Sequence, residues 1–271
     1  MGKIAQYALN KGALPTILKI RIYSQEKGFP MNDTRNQFGS VARPAGAEID
    51  QGLRSYMLGV YNYMALAVAG TGLVSFFVAS NENLVYQIAG TPIMWVVFAA
   101  ILGIGFFAPK VMFSGSKAMA HGLFWLYAGL WGLLIAPMLF RFASAGAAVE
   151  IYKAFFITAT VFGSLSLYGY TTKRDLSGWG SFLMMAAVGL LIAIVANALF
   201  FKSGMMSLVV SCLVVLVFSA VTAWETQMVK SLYTEGSEMN ERASIFGAFA
   251  LYGSFVTLFI HILNILGFMR D

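Results

Sequence analysis

Few residues of this 271-residue sequence could do chemistry inside its long apolar stretches. Glu225 directly follows the apolar run 204–224 and precedes Lys230 by five residues. If this run crosses a membrane, Glu225 is a functional candidate, because a charge at the bilayer centre costs at least about 2.5–3.5 kcal/mol. A functional interpretation makes it a buried carboxylate that gains and loses a proton. A structural interpretation makes it an interfacial glutamate that reaches toward water.

The two histidines, His121 and His261, do not form an obvious cofactor site. Their depths in the predicted spans differ by about 14 residues, which is roughly 20 Å along a helix. A bis-histidine haem site is therefore not expected. The last apolar run contains no lysine, which excludes a retinal Schiff base. We predict no cofactor and no metal site.

No motif in the sequence indicates an enzyme. There is no phosphate-binding loop and no metal-ligand spacing, and Ser164 and Ser166 have no base at a matching depth. We therefore expect no enzymatic activity. Three asparagines could hydrogen-bond between helices, and small residues could allow close helix packing. These are Asn62, Asn197 and Asn264, and Gly70, Gly72, Gly103, Gly105, Gly129, Gly132 and Gly163.

The elements that must position these residues are membrane helices. Only 11% of residues are charged and 59% are hydrophobic, unlike a soluble domain, in which about a quarter are charged. A helix needs roughly 20 apolar residues to cross the hydrocarbon core. Seven runs without Asp, Glu, Lys or Arg predict an all-α polytopic membrane protein with seven transmembrane helices. They lie at 57–79, 88–108, 118–140, 154–170, 178–201, 204–224 and 243–269.

The basic residues predict the orientation. Placing the N-terminus and alternate connections on one side gives that side 14 of the 18 Lys and Arg residues. Basic residues favour the cytoplasmic side, so we predict a cytoplasmic N-terminus. The net charge of +6 then reflects membrane topology, and we expect no nucleic-acid partner.

The chain divides into a basic cytoplasmic tail, 1–55, and a seven-helix domain, 56–271. Three interpretations of residues 1–30 remain open. They form a basic segment on anionic lipid, a transit peptide, or an extension upstream of a true start at Met31. A transit peptide would place the protein in the mitochondrial inner membrane. Otherwise we expect a multi-pass protein of the bacterial inner (plasma) membrane.

One loop motif resembles a known family. Residues 167–176, Leu-Tyr-Gly-Tyr-Thr-Thr-Lys-Arg-Asp-Leu, include Lys173, Arg174 and Asp175. They are similar to the loop after span four in bacterial members of the Bax inhibitor-1 (transmembrane Bax inhibitor motif) family. The similarity covers about residues 43–268. It implies seven helices and a cytoplasmic N-terminus, in agreement with the charge count.

The resemblance also implies a site. The family is associated with a pH-sensitive calcium leak, whose proposed sensor is a pair of aspartates on spans six and seven. Glu225 stands at the first position, Ser254 at the second, and Thr257 replaces a family asparagine. Lys110 is the nearest match to the basic residue at the end of span two that is thought to contact the ionised pair. Since Ser254 cannot ionise, we expect calcium conduction to be weaker, differently gated or lost.

The resemblance implies two alternative functions, and in both of them the protein is embedded in the lipid bilayer. One is a leak for Ca²⁺ or H⁺, gated at Glu225. The alternative is a non-conducting regulator or scaffold that binds a membrane-anchored AAA protease, as some bacterial relatives are understood to do. The basic N-terminal tail would be the segment that the protease binds. A transporter ranks third, because the spans show no obvious inverted repeat.

Overall fold

The computed structural model describes residues 45–270, and side chains from residue 51 onward. A 3₁₀ turn, Ser177–Trp179, precedes the sixth helix, and a π-helical turn, Asn197–Phe201, follows it. No strand occurs in the described part of the chain. The helices are α1 (Ala45–Ala79), α2 (Glu82–Ile88), α3 (Pro92–Ser114), α4 (Lys117–Ser144), α5 (Ala148–Thr171), α6 (Gly180–Ala196), α7 (Gly204–Ser231) and α8 (Asn240–Arg270).

Seven helical segments between residues 51 and 270 are long and apolar enough to cross a membrane, and they match the seven predicted runs. The prediction of an all-α protein with seven transmembrane helices is confirmed, whereas the cytoplasmic N-terminus stays a prediction. Helix α1 begins at Ala45, inside the segment predicted as the tail. The three interpretations of residues 1–30 fall outside the described residues.

The second span differs from its prediction at both ends. The sequence predicts 88–108, whereas α3 runs from Pro92 to Ser114. Gly90 has a φ of 73°, and Thr91 is an extended N-cap before Pro92, so the chain turns here and a new helix starts. At the other end α3 continues through Lys110, because helical hydrogen bonding does not stop where the apolar run stops.

Helix α8 is the centre of the bundle. In its most apolar 18-residue window 61% of the residues are buried, against 6–39% in the other six spans. It contacts α3, α4, α5 and α7. Tyr252 on α8 is fully buried and packs against the rings of Phe124 and Tyr127 on α4. Polar side chains in the middle of α8, such as that of Ser254, are therefore surrounded by protein.

The connections divide between the two ends of the bundle. We call the end with connections 115–116, 172–176 and 232–239 the motif face, because it carries the loop motif. The opposite end, with connections 80–91, 145–147 and 202–203, is the far face. If the predicted orientation is right, the motif face is cytoplasmic.

The closest helix approach near the candidate site is at Gly169 on α5. A Cβ at this glycine would lie 2.2 Å from the carbonyl oxygen of Ala223 on α7. Of the glycines that the sequence singled out, only Gly132 is comparable, with a Cβ 2.7 Å from that of Val74. At the other six predicted glycines the nearest atom is 3.8 Å away or farther.

Candidate functional site

The structure brings Glu225 and Ser254 together. The hydroxyl of Ser254 donates a hydrogen bond to Oε2 of Glu225 over 2.6 Å, which joins α7 to α8. Glu225 lies six residues, roughly 9 Å, before the end of α7 at Ser231. Its side chain is partly buried, and Ser254 is 2% exposed. This geometry favours the interpretation of Glu225 as a carboxylate inside the bundle over that of a glutamate reaching into water.

Aromatic side chains of α4 cover this part of α8. The hydroxyl of Tyr127 lies 3.4 Å from the Cβ position of Gly253, the residue before Ser254. Its ring centroid is 4.3 Å from that of Phe249. One turn along α4, Nε1 of Trp131 is buried without a hydrogen-bond partner among the described residues. Such a donor can bond a water molecule within the bundle.

Lys110 does not contact the Glu225 carboxylate. Its side chain is exposed on α3. The three ion pairs between described residues include neither Lys110 nor Glu225. They join Lys117 and His121 to Glu241, and Lys153 to Glu150. The role of Lys110 as a counter-ion of Glu225 therefore stays a prediction.

The loop motif is anchored to α7 by residues that sequence reasoning missed. Gln227 accepts a hydrogen bond from the backbone N–H of Leu176 over 2.7 Å and donates one to the carbonyl of Arg174 over 2.8 Å. Lys230 donates to the carbonyl of Tyr170 over 2.9 Å. The signal that could have found Gln227 and Lys230 is their position two and five residues after Glu225, within the region that resembles the family.

The three predicted motif residues have different surroundings. Lys173 and Arg174 are exposed, and only the backbone of Arg174 is held in place. The Asp175 carboxylate accepts a hydrogen bond from the backbone N–H of Ser177 over 2.9 Å. This bond holds the pKa of Asp175 below its ordinary value. Asp175 thus forms an Asx turn directly before the 3₁₀ turn that starts the next span.

A chain of buried and partly buried hydroxyls lies on the other side of α7. Tyr61 on α1 bonds Ser166 on α5 over 2.7 Å, and Ser166 bonds Thr226 on α7 over 2.9 Å. Thr226 in turn donates to the carbonyl of Thr222. Three helices are linked next to Glu225, which fixes the position of α7. Nothing in the sequence separates these hydroxyls from ordinary helix residues.

The histidines lie at opposite ends of the bundle. His121 on α4 lies 3.9 Å from a carboxylate oxygen of Glu241 near the motif face, and Nδ1 of His261 lies 3.0 Å from the Ser211 hydroxyl toward the far face. Among the described residues, no group of three or more His, Cys, Asp or Glu side chains could hold a metal ion.

The asparagines behave differently from one another. Asn264 donates to the hydroxyls of Ser207 and Ser211, which confirms its predicted interhelical role. Asn197 instead bonds the backbone of Ser203 in the next connection. Asn62 is exposed and forms no side-chain hydrogen bond with the described residues, so the same prediction is wrong for it.

The chain matches a family model described as "Inhibitor of apoptosis-promoting Bax1" over residues 53–271. It is 40% identical to an uncharacterized protein of Rickettsia prowazekii, over 82% of this chain and 93% of that protein. An uncharacterized protein of Caulobacter vibrioides is 36% identical over 89% of this chain and its own full length. Inner membrane protein YbhL of Escherichia coli is 33% identical over 89% of this chain and 99% of its own length.

Proposed function

The chain belongs to the Bax inhibitor-1 family, and from this premise we propose that it is a cation leak of the bacterial inner membrane, gated by protonation of Glu225. The conducted ion is Ca²⁺ or H⁺, and the protein catalyses no chemical reaction. The predicted orientation puts the gate toward the cytoplasm.

The observation that carries this proposal is the hydrogen bond between Ser254 and Glu225. An ionised carboxylate only accepts hydrogen bonds, whereas a protonated one also donates. Proton binding at Glu225 therefore changes both the charge inside the bundle and the bonding between α7 and α8. A charge there has a large free-energy cost, so its removal shifts how the two helices pack.

The last turns of α7, which follow Glu225, can transmit the change in helix packing to the motif face. Gln227 and Lys230 follow Glu225 within five residues and hold the backbone of the loop motif. A shift of α7 against α8 would move these anchors. The proposed gate is therefore the contact between α7 and the loop 172–176.

A single carboxylate limits what the gate can do. Two nearby carboxylates share a proton and titrate in two coupled steps, whereas Glu225 with Ser254 has one titratable member. Ca²⁺ prefers six to eight oxygen ligands, often from several carboxylates. We therefore expect a one-step pH response and weak calcium conduction.

The test is flux from vesicles that contain the purified protein, measured for Ca²⁺ and H⁺ from pH 6 to 8. We expect the wild-type flux to depend on pH and the Glu225→Gln flux to be independent of it. Glu235→Gln, at an exposed glutamate of the connection 232–239, is the matched control and should behave as wild type. Wild-type flux equal to that of protein-free vesicles would contradict the proposal. An unchanged pH profile in Glu225→Gln would contradict it as well.

A second candidate function is a non-conducting regulator that binds a membrane-anchored AAA protease. The observations that favour it are the eight basic residues within 1–54, which suit a cytoplasmic handle, and the loss of the second carboxylate at Ser254. Mild-detergent purification should then yield a stoichiometric membrane partner that is lost when residues 1–50 are deleted. Absence of such a partner from both forms would count against this candidate.

A further inference from the structure

A large cavity lies at the far face, away from Glu225. Its volume is about 900 Å³, and it is lined mainly by the far ends of α4, α6, α7 and α8, with Met94 at the start of α3. This volume is in the range of pockets that hold small molecules. The inner part of the wall includes the apolar side chains of Leu134, Met138, Ile194 and Ile260. The proposed gate uses none of these residues.

The charge of the cavity has one sign. Three cationic side chains, Arg141, Lys202 and Arg270, line it, and none of its described lining residues is Asp or Glu. Arg270 donates to the carbonyl of Ala145 over 2.9 Å and keeps further N–H donors. The cations come from three different parts of the chain. Their convergence on one cavity favours an anionic ligand.

The backbone that carries Lys202 is held in an unusual conformation. Lys202 has a φ of 48°, the left-handed region that non-glycine residues seldom adopt. Its N–H donates to the carbonyl of Asn197 over 2.7 Å, closing a π-helical turn. The Asn197 side chain bonds the backbone of Ser203 twice, each over 3.1 Å. Such π turns and strained residues are frequent at functional sites.

A hydrogen-bonded cluster forms the polar wall. Asn264 donates to Ser207 and Ser211, and Ser211 bonds Nδ1 of His261. Because the Ser211 oxygen accepts from Asn264, its own proton is available to Nδ1. Nδ1 of His261 either accepts that proton or, in the other tautomer, donates its own to the Ser211 oxygen. The wall thus adds the neutral hydrogen-bonding side chains of Asn264, Ser207 and Ser211 beside the three cations.

We infer that this cavity binds a phosphate-bearing anion, either the headgroup of an anionic phospholipid or a free phosphate. Arginine and lysine are the usual partners of phosphate, and the guanidinium fork matches two of its oxygens. The apolar inner wall suits the first carbons of an acyl chain. The ligand would bind whether or not the protein conducts ions.

The test is thermal unfolding of the full chain in non-ionic detergent during three titrations. The additions are phosphatidylglycerol, phosphatidylcholine, and inorganic phosphate against chloride at equal ionic strength. We expect phosphatidylglycerol or phosphate to raise the Tm and phosphatidylcholine to leave it unchanged. Arg141→Gln and Lys202→Gly should each weaken the apparent affinity about fivefold, because each removes one cation near the membrane surface. Glycine tolerates the positive φ at position 202, so this variant should still fold.

The matched control is Lys153→Gln, an exposed lysine at the same face that does not line the cavity. It should bind as wild type does. Stabilisation by phosphatidylglycerol alone identifies a lipid headgroup, and stabilisation by inorganic phosphate identifies a small anion; both support the inference. Equal effects of the two lipids together with equal effects of phosphate and chloride would overturn it. So would a loss of affinity in Lys153→Gln as large as in Arg141→Gln.

Discussion

Glu225 and Ser254 form a hydrogen-bonded pair between α7 and α8 with one titratable member. Their contact of 2.6 Å lies where the resemblance implies two carboxylates that share a proton. A hydroxyl can orient the Glu225 carboxylate but cannot repel it or bind a second proton. Glu225 and Ser254 are therefore placed like a pair of carboxylates, but only Glu225 can gain or lose a proton.

Replacing Ser254 by aspartate should restore a coupled pair. In Ser254→Asp two like charges would stand next to each other, and the protons should leave in two steps at least about one pH unit apart. The measurement is vesicle flux against pH. Ser254→Asn, of similar size but not ionisable, is the control and should keep one step. Identical profiles for the two variants would show that position 254 takes no part in the titration.

Helix α7 links the candidate sensor to the loop motif at the scale of elements. Glu225 bonds α8, whereas Gln227 and Lys230 hold the backbone of the loop and of the end of α5. Helices α5 and α7 also approach closely at Gly169, where a Cβ would collide with the backbone of Ala223. Displacement of α7 along α8 would therefore carry the loop with it.

Removing the Gln227 side chain should free the loop motif. Gln227→Ala breaks two hydrogen bonds to backbone groups, each worth about 0.5–1.5 kcal/mol. Loop opening should become about tenfold more frequent. The measurement is the rate of trypsin cleavage after Lys173 and Arg174 in detergent. Ser231→Ala, which loses only a bond within its own helix, serves as the control. Equal cleavage rates in both variants would contradict the role of Gln227.

A methyl group at Gly169 should separate α5 from α7. In Gly169→Ala the Cβ would collide with the backbone of Ala223, and such overpacking costs about 1–3 kcal/mol. The melting temperature in detergent should fall. Gly163→Ala lies on the same helix, where a Cβ meets nothing within 4 Å, so it should be neutral or slightly stabilising. If Gly169→Ala and Gly163→Ala have the same melting temperature, the close approach at Gly169 does not contribute to the stability of the protein.

At the scale of the whole molecule the bundle has two chemically different faces. The motif face carries the loop that α7 holds, and the far face carries a cavity with three cations. Helix α8 runs between them: Ser254 near its middle bonds Glu225, and His261 and Asn264 line the far-face cavity. The orientation of the chain decides which compartment each face is exposed to.

Reporter fusions in a bacterial host test the orientation. With the N-terminus in the cytoplasm and seven spans, the C-terminus lies outside. Alkaline phosphatase fused after residue 271 should be active, and green fluorescent protein at the same place should be dark. A fusion after Thr234, in the connection 232–239, should give the reverse pattern and is the internal control. The opposite result at both places would invert the assignment.

The sequence by itself determined the class of the protein and its spans. The hydrocarbon core of the bilayer excludes charged residues, so each span can be recognised in the sequence as a run without charges. Glu225 is conspicuous because it is an acid directly at the end of such a run. The sequence predicted the helix ends less accurately, as at α3, because capping residues and proline determine where a helix starts and hydropathy does not.

Tertiary structure alone decided which side chains meet. Spans that are apolar on all sides do not show in their sequence how each helix is rotated, so pairs far apart in the chain cannot be read from it. Tyr61 meets Ser166, Gln227 meets the loop motif, and Lys110 does not reach Glu225. The far-face cavity exists only because the ends of several helices converge, and no single stretch of sequence contains it.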